Sequence, residues 1–156
     1  RKDSGRVAPA DVNHLVRESL RLIEPEARAR GIDLRAELAP RLPPVPCDGI
    51  QIEQVLLTLL LNGVDAIEAA GDGERAVAVR TALAERAIEV AVSDSGIGLP
   101  ERPADVFAPF YTTKPSGLGM GLSISRSIIE AHGGQLWGLR NPDRGSSFRF
   151  TLPAAE

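Results

Sequence analysis

Two glycine clusters constrain this chain more than any other feature of its sequence. The first is Asp94-Ser95-Gly96-Ile97-Gly98, and the second is Gly117-Leu118-Gly119-Met120-Gly121. Glycine lets backbone approach a ligand closely, and the N–H groups at the beginning of a helix bind phosphate well. Leu122 and the apolar residues after it predict a helix that begins where the second cluster ends. The clusters therefore predict a nucleotide pocket, with the segment between them as its cover.

The segment between the clusters combines aromatic and polar residues. It contains Phe107-Ala108-Pro109-Phe110 and then Tyr111-Thr112-Thr113-Lys114. Thr112, Thr113 and Lys114 supply hydroxyl groups and a positive charge, which suit phosphate. Because residues 101–118 have several prolines and little apolar content, we expect them to be mobile without nucleotide and ordered with it.

A second candidate site lies on a long apolar helix. Asp48 predicts the helix start, with Gln51 placed as in a capping box. The helix is apolar almost all round, so we expect it to be buried. Thr58, Asn62 and Asp65 share one face of it, and a buried polar group without a partner costs about 1–3 kcal/mol. Two interpretations remain open: hydrogen bonds to neighbouring backbone, or a wet cavity in which the Asn62 amide oxygen coordinates Mg²⁺.

Asp94 is the acidic residue best placed to recognise a base. It ends a predicted strand, and an ionised carboxylate only accepts hydrogen bonds. It could therefore accept one from an exocyclic amine such as adenine N6, with Gly96 and Gly98 letting the base lie close to the backbone. The alternative is a plain Asp-Ser-Gly turn, a weak signal by itself.

Periodicity and turn residues predict the order αβαββαββ. Asp11 caps a first helix that ends at Gly31, and residues 1–10 are interpreted as a linker remnant from a preceding helical domain. We expect residues 11–156 to form one nucleotide-binding domain. The fold class is α+β, a two-layer α/β sandwich with a mixed, mostly antiparallel sheet and three helices on one face. The remaining predictions are strands at 32–38, 76–83, 87–93, 135–139 and 146–152, and a proline-rich loop at 40–46.

Composition excludes several classes. The 156 residues suffice for one domain. A net charge of −3 gives no general attraction to nucleic acid or anionic membrane, and we expect no apolar run long enough to span a bilayer. The single cysteine, Cys47, excludes a disulfide framework. Because the first residue is Arg1, we expect a fragment of a longer protein.

Five motifs, taken in order, resemble the catalytic, ATP-binding domain of a bacterial sensor histidine kinase of the GHKL superfamily. Asn62-Gly63-Val64-Asp65-Ala66 is similar to its N box, and the two glycine clusters match its first and second glycine boxes. Phe107–Phe110 matches the F box, and Gly145-Ser146-Ser147-Phe148 resembles a last glycine box. The resemblance runs from about residue 11 to residue 153 and implies the Bergerat type of ATP-binding sandwich.

The resemblance implies the roles of the site residues. Asn62 would hold Mg²⁺, Asp94 the adenine, and the second glycine box the phosphates, with residues 101–118 as the ATP lid. Many kinases have Asn where Thr58 stands, Lys or Arg where Asp65 stands, and an aromatic residue where Ala66 stands. Asp65 cannot contact phosphate directly as a cation would, so the positive charge facing the phosphates would come more from Lys114. Thr58 would remove a second Asn contact to the metal region, and Ala66 a stacking ring from the adenine. The implied ATP-binding set is Asn62, Asp65, Ala66, Asp94, Gly96, Gly98, Thr112, Thr113, Lys114, Gly117, Leu118, Gly119, Met120, Gly121 and Leu122.

The resemblance also implies the reaction. GHKL members that hydrolyse ATP place Glu where Thr58 stands, and Thr is a poor general base, so transfer of the ATP γ-phosphate to a histidine is favoured. Alternatives are an ATP hydrolase or clamp, and a nucleotide-binding pseudokinase that serves as a docking module. His14 and His132 are interpreted as structural, so the acceptor would lie on a separate dimerisation domain.

The same resemblance implies partners and a compartment. The partners would be that dimerisation domain and a response regulator, with no nucleic acid and no direct membrane contact. The fragment is expected to be a monomer and the full-length protein a homodimer. We expect a cytoplasmic location, which includes the cytoplasmic part of a membrane-bound sensor.

Overall fold

The computed structural model describes residues 6–98, 106–107 and 121–155. Within these ranges the helices α1 (Val12–Ala29), α2 (Gly49–Ala70) and α3 (Gly121–Ala131) pack on a five-stranded sheet. Its strands are β2 (Asp33–Glu37), β4 (Ala76–Ala84), β5 (Ala87–Asp94), β6 (Leu136–Arg140) and β7 (Ser146–Pro153). Across the sheet their order is β2-β4-β5-β7-β6, in which β2 is parallel to β4 and the other neighbours are antiparallel. The predicted two-layer α/β sandwich with a mixed, mostly antiparallel sheet is therefore confirmed.

Two short strands were not predicted. β1 (Ala8–Ala10) pairs antiparallel with β3 (Val45–Cys47), so that Pro9 lies opposite Pro46. The sequence assigns the first to a linker and the second to a proline-rich loop, because proline argues against a strand. Both strands of an isolated pair are edge strands, and edge strands tolerate proline. Cys47 is buried here, and burial raises the pKa of its thiol, which fits a packing role.

Both predicted N-caps are confirmed. Asp11 Oδ1 accepts from the Asn13 N–H at 3.0 Å, and Asp48 Oδ1 accepts from the Ile50 and Gln51 N–H groups at 3.1 and 3.3 Å. The capping-box expectation fails in one respect. The backbone N–H of Asp48 donates to Nε2 of His132 at 3.1 Å, so the end of α3 is tied to the beginning of α2.

Helix α2 forms the centre of the core. Val55, Leu56, Leu59, Leu60 and Ile67 are at most 1% exposed, which confirms the prediction of a buried helix. By length and composition alone, α2 could cross a membrane, so the expectation that no apolar run reaches such a length is wrong. In this fold its apolar surface is covered instead by the sheet, α1 and α3.

The two aromatic residues of the last hairpin differ in environment. Hydrophobicity favours a core position for both; Phe148 is buried, but Trp137 is only half-buried. Successive strand residues point to opposite faces of a sheet. Leu136 takes the helix-covered face, and Trp137 therefore takes the other face, at the edge strand β6.

Candidate nucleotide-binding site

Asp94 is the last residue of β5 and is only 6% exposed. Its Oδ1 accepts from the Gly96 N–H at 2.8 Å, and its Oδ2 accepts from the Ser146 hydroxyl at 3.0 Å. Burial raises the pKa of the Asp94 carboxyl above its ordinary value, although the hydrogen bonds from Gly96 and Ser146 act in the opposite direction. The predicted Asp-Ser-Gly turn is present, and the buried carboxylate belongs to its first residue.

The glycine at position 96 is required by packing against α2. A Cβ atom there would lie 2.6 Å from both the Cβ and the carbonyl oxygen of Ala66. The next residue, Ile97, donates its N–H to the same carbonyl at 3.2 Å. Gly96 therefore serves first to seat the loop on the helix, which differs from the expectation that its role is to admit a flat base. Ala66 is the residue on which the loop rests.

Three parts of the predicted site meet along α2. A Cβ at Gly63 would lie 3.4 Å from the Asp94 Cβ, so Asn62 directly precedes the point where α2 contacts the carboxylate. One turn earlier, a Cβ at Gly121 would lie 3.2 Å from the Thr58 methyl carbon, so α3 begins beside Thr58. The fold thus brings together the N box, Asp94 and the end of the second glycine box.

Asn62 is half-buried, and its side-chain amide makes no hydrogen bond to the residues that the structure describes. The interpretation that neighbouring backbone satisfies it is therefore not favoured, and its oxygen is available to a ligand. Asp65, three residues later, interacts electrostatically with Arg30 at the end of α1. The pKa of Arg30 is raised chiefly by Glu26, then by Glu68 and Asp65.

The turn between β6 and β7 supplies site residues that the sequence reasoning missed. The Asn141 Nδ2 donates to the Asp94 carbonyl at 3.1 Å, and the Arg144 Nε donates to the Ser95 carbonyl at 2.6 Å. Gly145 has a φ of 86°, and a Cβ there would lie 2.8 Å from the Asp94 carbonyl carbon. The last glycine box was the available signal, since it pointed to a close approach of backbone at this position.

The F box is anchored in the core by its first aromatic residue. Phe107 is buried and meets Phe148 edge-on, with ring centroids 6.1 Å apart, while the Arg126 Cζ lies 5.2 Å from the Phe107 centroid. Val106 is buried beside it. The low apolar content expected to keep residues 101–118 from burying themselves does not prevent the burial of these two residues.

The other predicted site residues divide into two groups. Gly98 has a φ of 87°, and a Cβ there would lie 3.4 Å from the Gly145 carbonyl oxygen. Leu122 is half-buried and packs against the core. The rest lie outside the described residues: Thr112, Thr113, Lys114, Gly117, Leu118, Gly119 and Met120.

Comparison of the sequence with known proteins finds a matching family and a related sensor protein. A sequence profile for histidine kinase-, DNA gyrase B-, and HSP90-like ATPases matches residues 47–156. The sensor protein FixL of Bradyrhizobium diazoefficiens is 46% identical over 131 residues, which cover 83% of this chain and 26% of FixL. The chain thus spans about a quarter of the length of such relatives.

Solved structures show the same fold. The nucleotide-free catalytic domain of histidine kinase ThkA is 37% identical and aligns over 94% of this chain and 95% of that domain, with a TM-score of 0.81. ThkA has also been solved in complex with the response regulator TrrA. Full-length ShkA in complex with AMPPNP is 28% identical and aligns over 96% of this chain and 31% of ShkA, with a TM-score of 0.83.

Proposed function

This chain belongs to the histidine kinase-, DNA gyrase B-, and HSP90-like ATPase family, and on that premise we propose that it is the ATP-binding catalytic domain of a two-component sensor kinase. It binds ATP with Mg²⁺ and transfers the γ-phosphate to a histidine on a separate dimerisation domain. The domain works in the cytoplasm, where ATP is available.

The observation that carries this proposal is the buried carboxylate of Asp94. Its two oxygens can accept roughly four hydrogen bonds, and the contacts from Gly96 and Ser146 leave acceptor capacity free. An exocyclic amine such as adenine N6 would use that capacity. Guanine presents a carbonyl at the same place, so two acceptors would face each other and GTP would bind poorly.

The phosphates lie toward the beginning of α3 in this proposal. Gly121 opens that helix beside Thr58, and the N–H groups of a helix start suit phosphate. Thr112, Thr113, Lys114 and the Gly117–Gly121 amides complete the phosphate site. The half-buried Thr58 offers no general base for activating water, which supports group transfer over hydrolysis.

Magnesium fits Asn62 as a single protein ligand. The described part of the chain contains no group of three or more His, Cys, Asp or Glu residues that could hold the ion alone. Mg²⁺ usually keeps several waters and shares its coordination with substrate phosphates, so one amide oxygen suffices here. When bound, the ion neutralises phosphate charge during transfer.

The histidines of this chain leave the acceptor role to another domain. His14 is exposed on α1 and is followed by Leu15, and His132 hydrogen-bonds to Ile128 and Asp48 within the fold. The partners in this proposal are the dimerisation domain and a response regulator, and the complex of ThkA with the response regulator TrrA supports the second of these.

Two measurements test the proposal. Titration calorimetry with ADP and Mg²⁺ is expected to show binding, with GDP at least about tenfold weaker. Incubation of the chain with radiolabelled ATP and a separately supplied dimerisation domain is expected to label a histidine of that domain. A folded chain that gives no binding heat with ADP would contradict the proposal, and so would equal affinity for GDP.

A further inference from the structure

The loop that follows Asp94 is attached to three neighbouring elements. On one side Ile97 bonds to Ala66 of α2. On a second side the Ser95 hydroxyl donates to the Glu74 carbonyl at 2.6 Å, next to the start of β4. On the third side the β6–β7 turn contacts the two carbonyl oxygens at the head of the loop, through Asn141 and Arg144.

The contact that Arg144 makes has a local cost. Its Nε donates to the Ser95 carbonyl at 2.6 Å, but its Nη2 is buried without a hydrogen-bond partner among the described residues. The guanidinium lies over Gly73, where a Cβ would approach its Cζ to 2.8 Å. A buried polar group left unsatisfied is costly, so a neutral side chain would serve better if the position only had to fill space.

We propose that Arg144 is a positioning residue for adenine recognition: it fixes the Ser95 peptide and thereby the direction of the neighbouring Asp94 carboxylate. This inference rests on the proposed function of Asp94. Hydrogen bonds weaken steeply as their angle departs from linear, and recognition groups must be held within about 0.5 Å of the productive geometry. Release of the Ser95 carbonyl therefore weakens the contact to N6 and leaves the phosphate contacts unchanged.

The test separates recognition of the amine from recognition of the rest of the nucleotide. The ligands are ADP and purine riboside diphosphate, which lacks the 6-amino group. The parent chain is expected to prefer ADP by at least about tenfold. Arg144→Met keeps most of the alkyl chain and removes the donor. It is expected to reduce that preference by about threefold or more while leaving the affinity for purine riboside diphosphate unchanged.

Arg149→Met is the matched control. Arg149 lies on β7, which follows the turn that contains Arg144. It is also half-buried, and its ion pair is with Glu89 at 3.7 Å, away from the loop. It should leave the preference for ADP at the parent value. In an Asp94→Asn background, Arg144→Met should have no further effect on the preference, because the contact that it positions is already lost.

A second pair of variants moves the guanidinium without changing Arg144. Gly73 and Gly71 both have positive φ, 106° and 79°, so alanine is strained at either position. A Cβ at Gly73 would overlap the guanidinium, whereas a Cβ at Gly71 meets nothing within 4 Å. Gly73→Ala should therefore reduce the preference for ADP over purine riboside diphosphate, and Gly71→Ala should leave that preference unchanged. This pair decides the question even if Arg144→Met does not fold.

The outcomes distinguish the two proposals. A parent chain that binds neither ligand, or binds both equally, overturns the proposed function and this inference with it. A parent chain that prefers ADP, with the preference intact in folded Arg144→Met and Gly73→Ala, overturns the role of Arg144 alone. A loss of affinity that is equal for both ligands also overturns it, because a merely structural role would act in that way.

Discussion

Two buried aspartates contact α2 in different regions, and they use their carboxylates differently. Asp48 is 2% exposed and accepts from two backbone N–H groups at the beginning of the helix. Asp94 is 6% exposed and approaches the carboxyl-terminal half of α2 at Gly63, accepting from its own turn and from Ser146.

The two carboxylates differ in the groups that surround the negative charge. The first N–H groups of a helix lack intrahelical partners and carry partial positive charge, so the Asp48 carboxylate is matched by the fold itself. Burial raises the pKa of Asp94, which means that the fold alone disfavours its ionised form. An acid that is buried at a cost to the fold is a candidate for ligand binding, whereas an acid that completes a helix is structural.

The largest expected effect contrasts the glycines beside the two aspartates. Gly96→Ala should lower the free energy of unfolding by about 3 kcal/mol, because the new Cβ would overlap the backbone of Ala66. Gly49→Ala, beside Asp48, places its Cβ at an ordinary 3.5 Å from Leu15 and should be neutral or stabilising by up to about 1 kcal/mol. Urea denaturation followed by circular dichroism measures both. Similar losses for the two variants would remove this difference between the regions.

Next in size is the loss of nucleotide affinity. Asp94→Asn should weaken ADP by at least about tenfold without Mg²⁺, since a hydrogen bond to a charged group contributes about 1.5–3 kcal/mol. The amide keeps the size of the side chain but can turn a donor toward the adenine amine. Asn62→Ala should weaken binding only when Mg²⁺ is present, because it acts through the metal. Calorimetry with and without Mg²⁺ tests both statements, and unchanged ADP affinity in Asp94→Asn would mean that Asp94 is only a turn residue.

At Asp48, substitution should lower stability without lowering the affinity for ADP. Asp48→Ala should lower the free energy of unfolding by about 1 kcal/mol through loss of the N-cap and leave ADP affinity at the parent value. Asp48→Asn is the matched control, because asparagine caps a helix about as well as aspartate. A tenfold loss of ADP affinity in folded Asp48→Ala would show that the two regions are coupled, contrary to the distinction drawn between them.

Much of this contrast could be predicted from local sequence. The apolar surface of α2, the cap at Asp48 and the placement of Asp94 at a strand end depend on neighbouring residues, and all three are confirmed. The bond from Asp48 to His132 joins residues 84 positions apart, and Arg144 reaches Ser95 across 49. No local periodicity encodes such contacts.

Other differences arose where a local rule competed with tertiary structure. The prolines in β1 and β3 argue against strands by the local rule, although the two strands pair with each other and Val45 and Cys47 of β3 lie in the core. The hydrophobicity of Trp137 favours the core, but the face that it takes is decided by the register of β6 on β7. The glycine at position 96 was correctly marked as a place of close approach, although the approaching group is α2.

The smallest expected effect is a pH dependence of stability that belongs to Asp94. Because burial raises the pKa of its carboxyl above the ordinary 3.8, the folded chain holds this proton more tightly than the unfolded chain. The stabilising contribution is fully present below pH 3.8 and is lost as the pH rises through the folded pKa. Asp94→Asn cannot ionise, and its amide oxygen can still accept from Gly96. The free energy of unfolding of this variant, minus that of the parent chain, should therefore increase with pH across this window and then level off. A second variant extends the pH range of this effect. Ser146→Ala removes a hydrogen bond that lowers the pKa of the Asp94 carboxyl, so in that background the increase should extend to higher pH. Urea titrations at a series of pH values measure the difference directly. A difference that is constant or falls with pH would mean that the fold matches the charge of Asp94 as fully as that of Asp48.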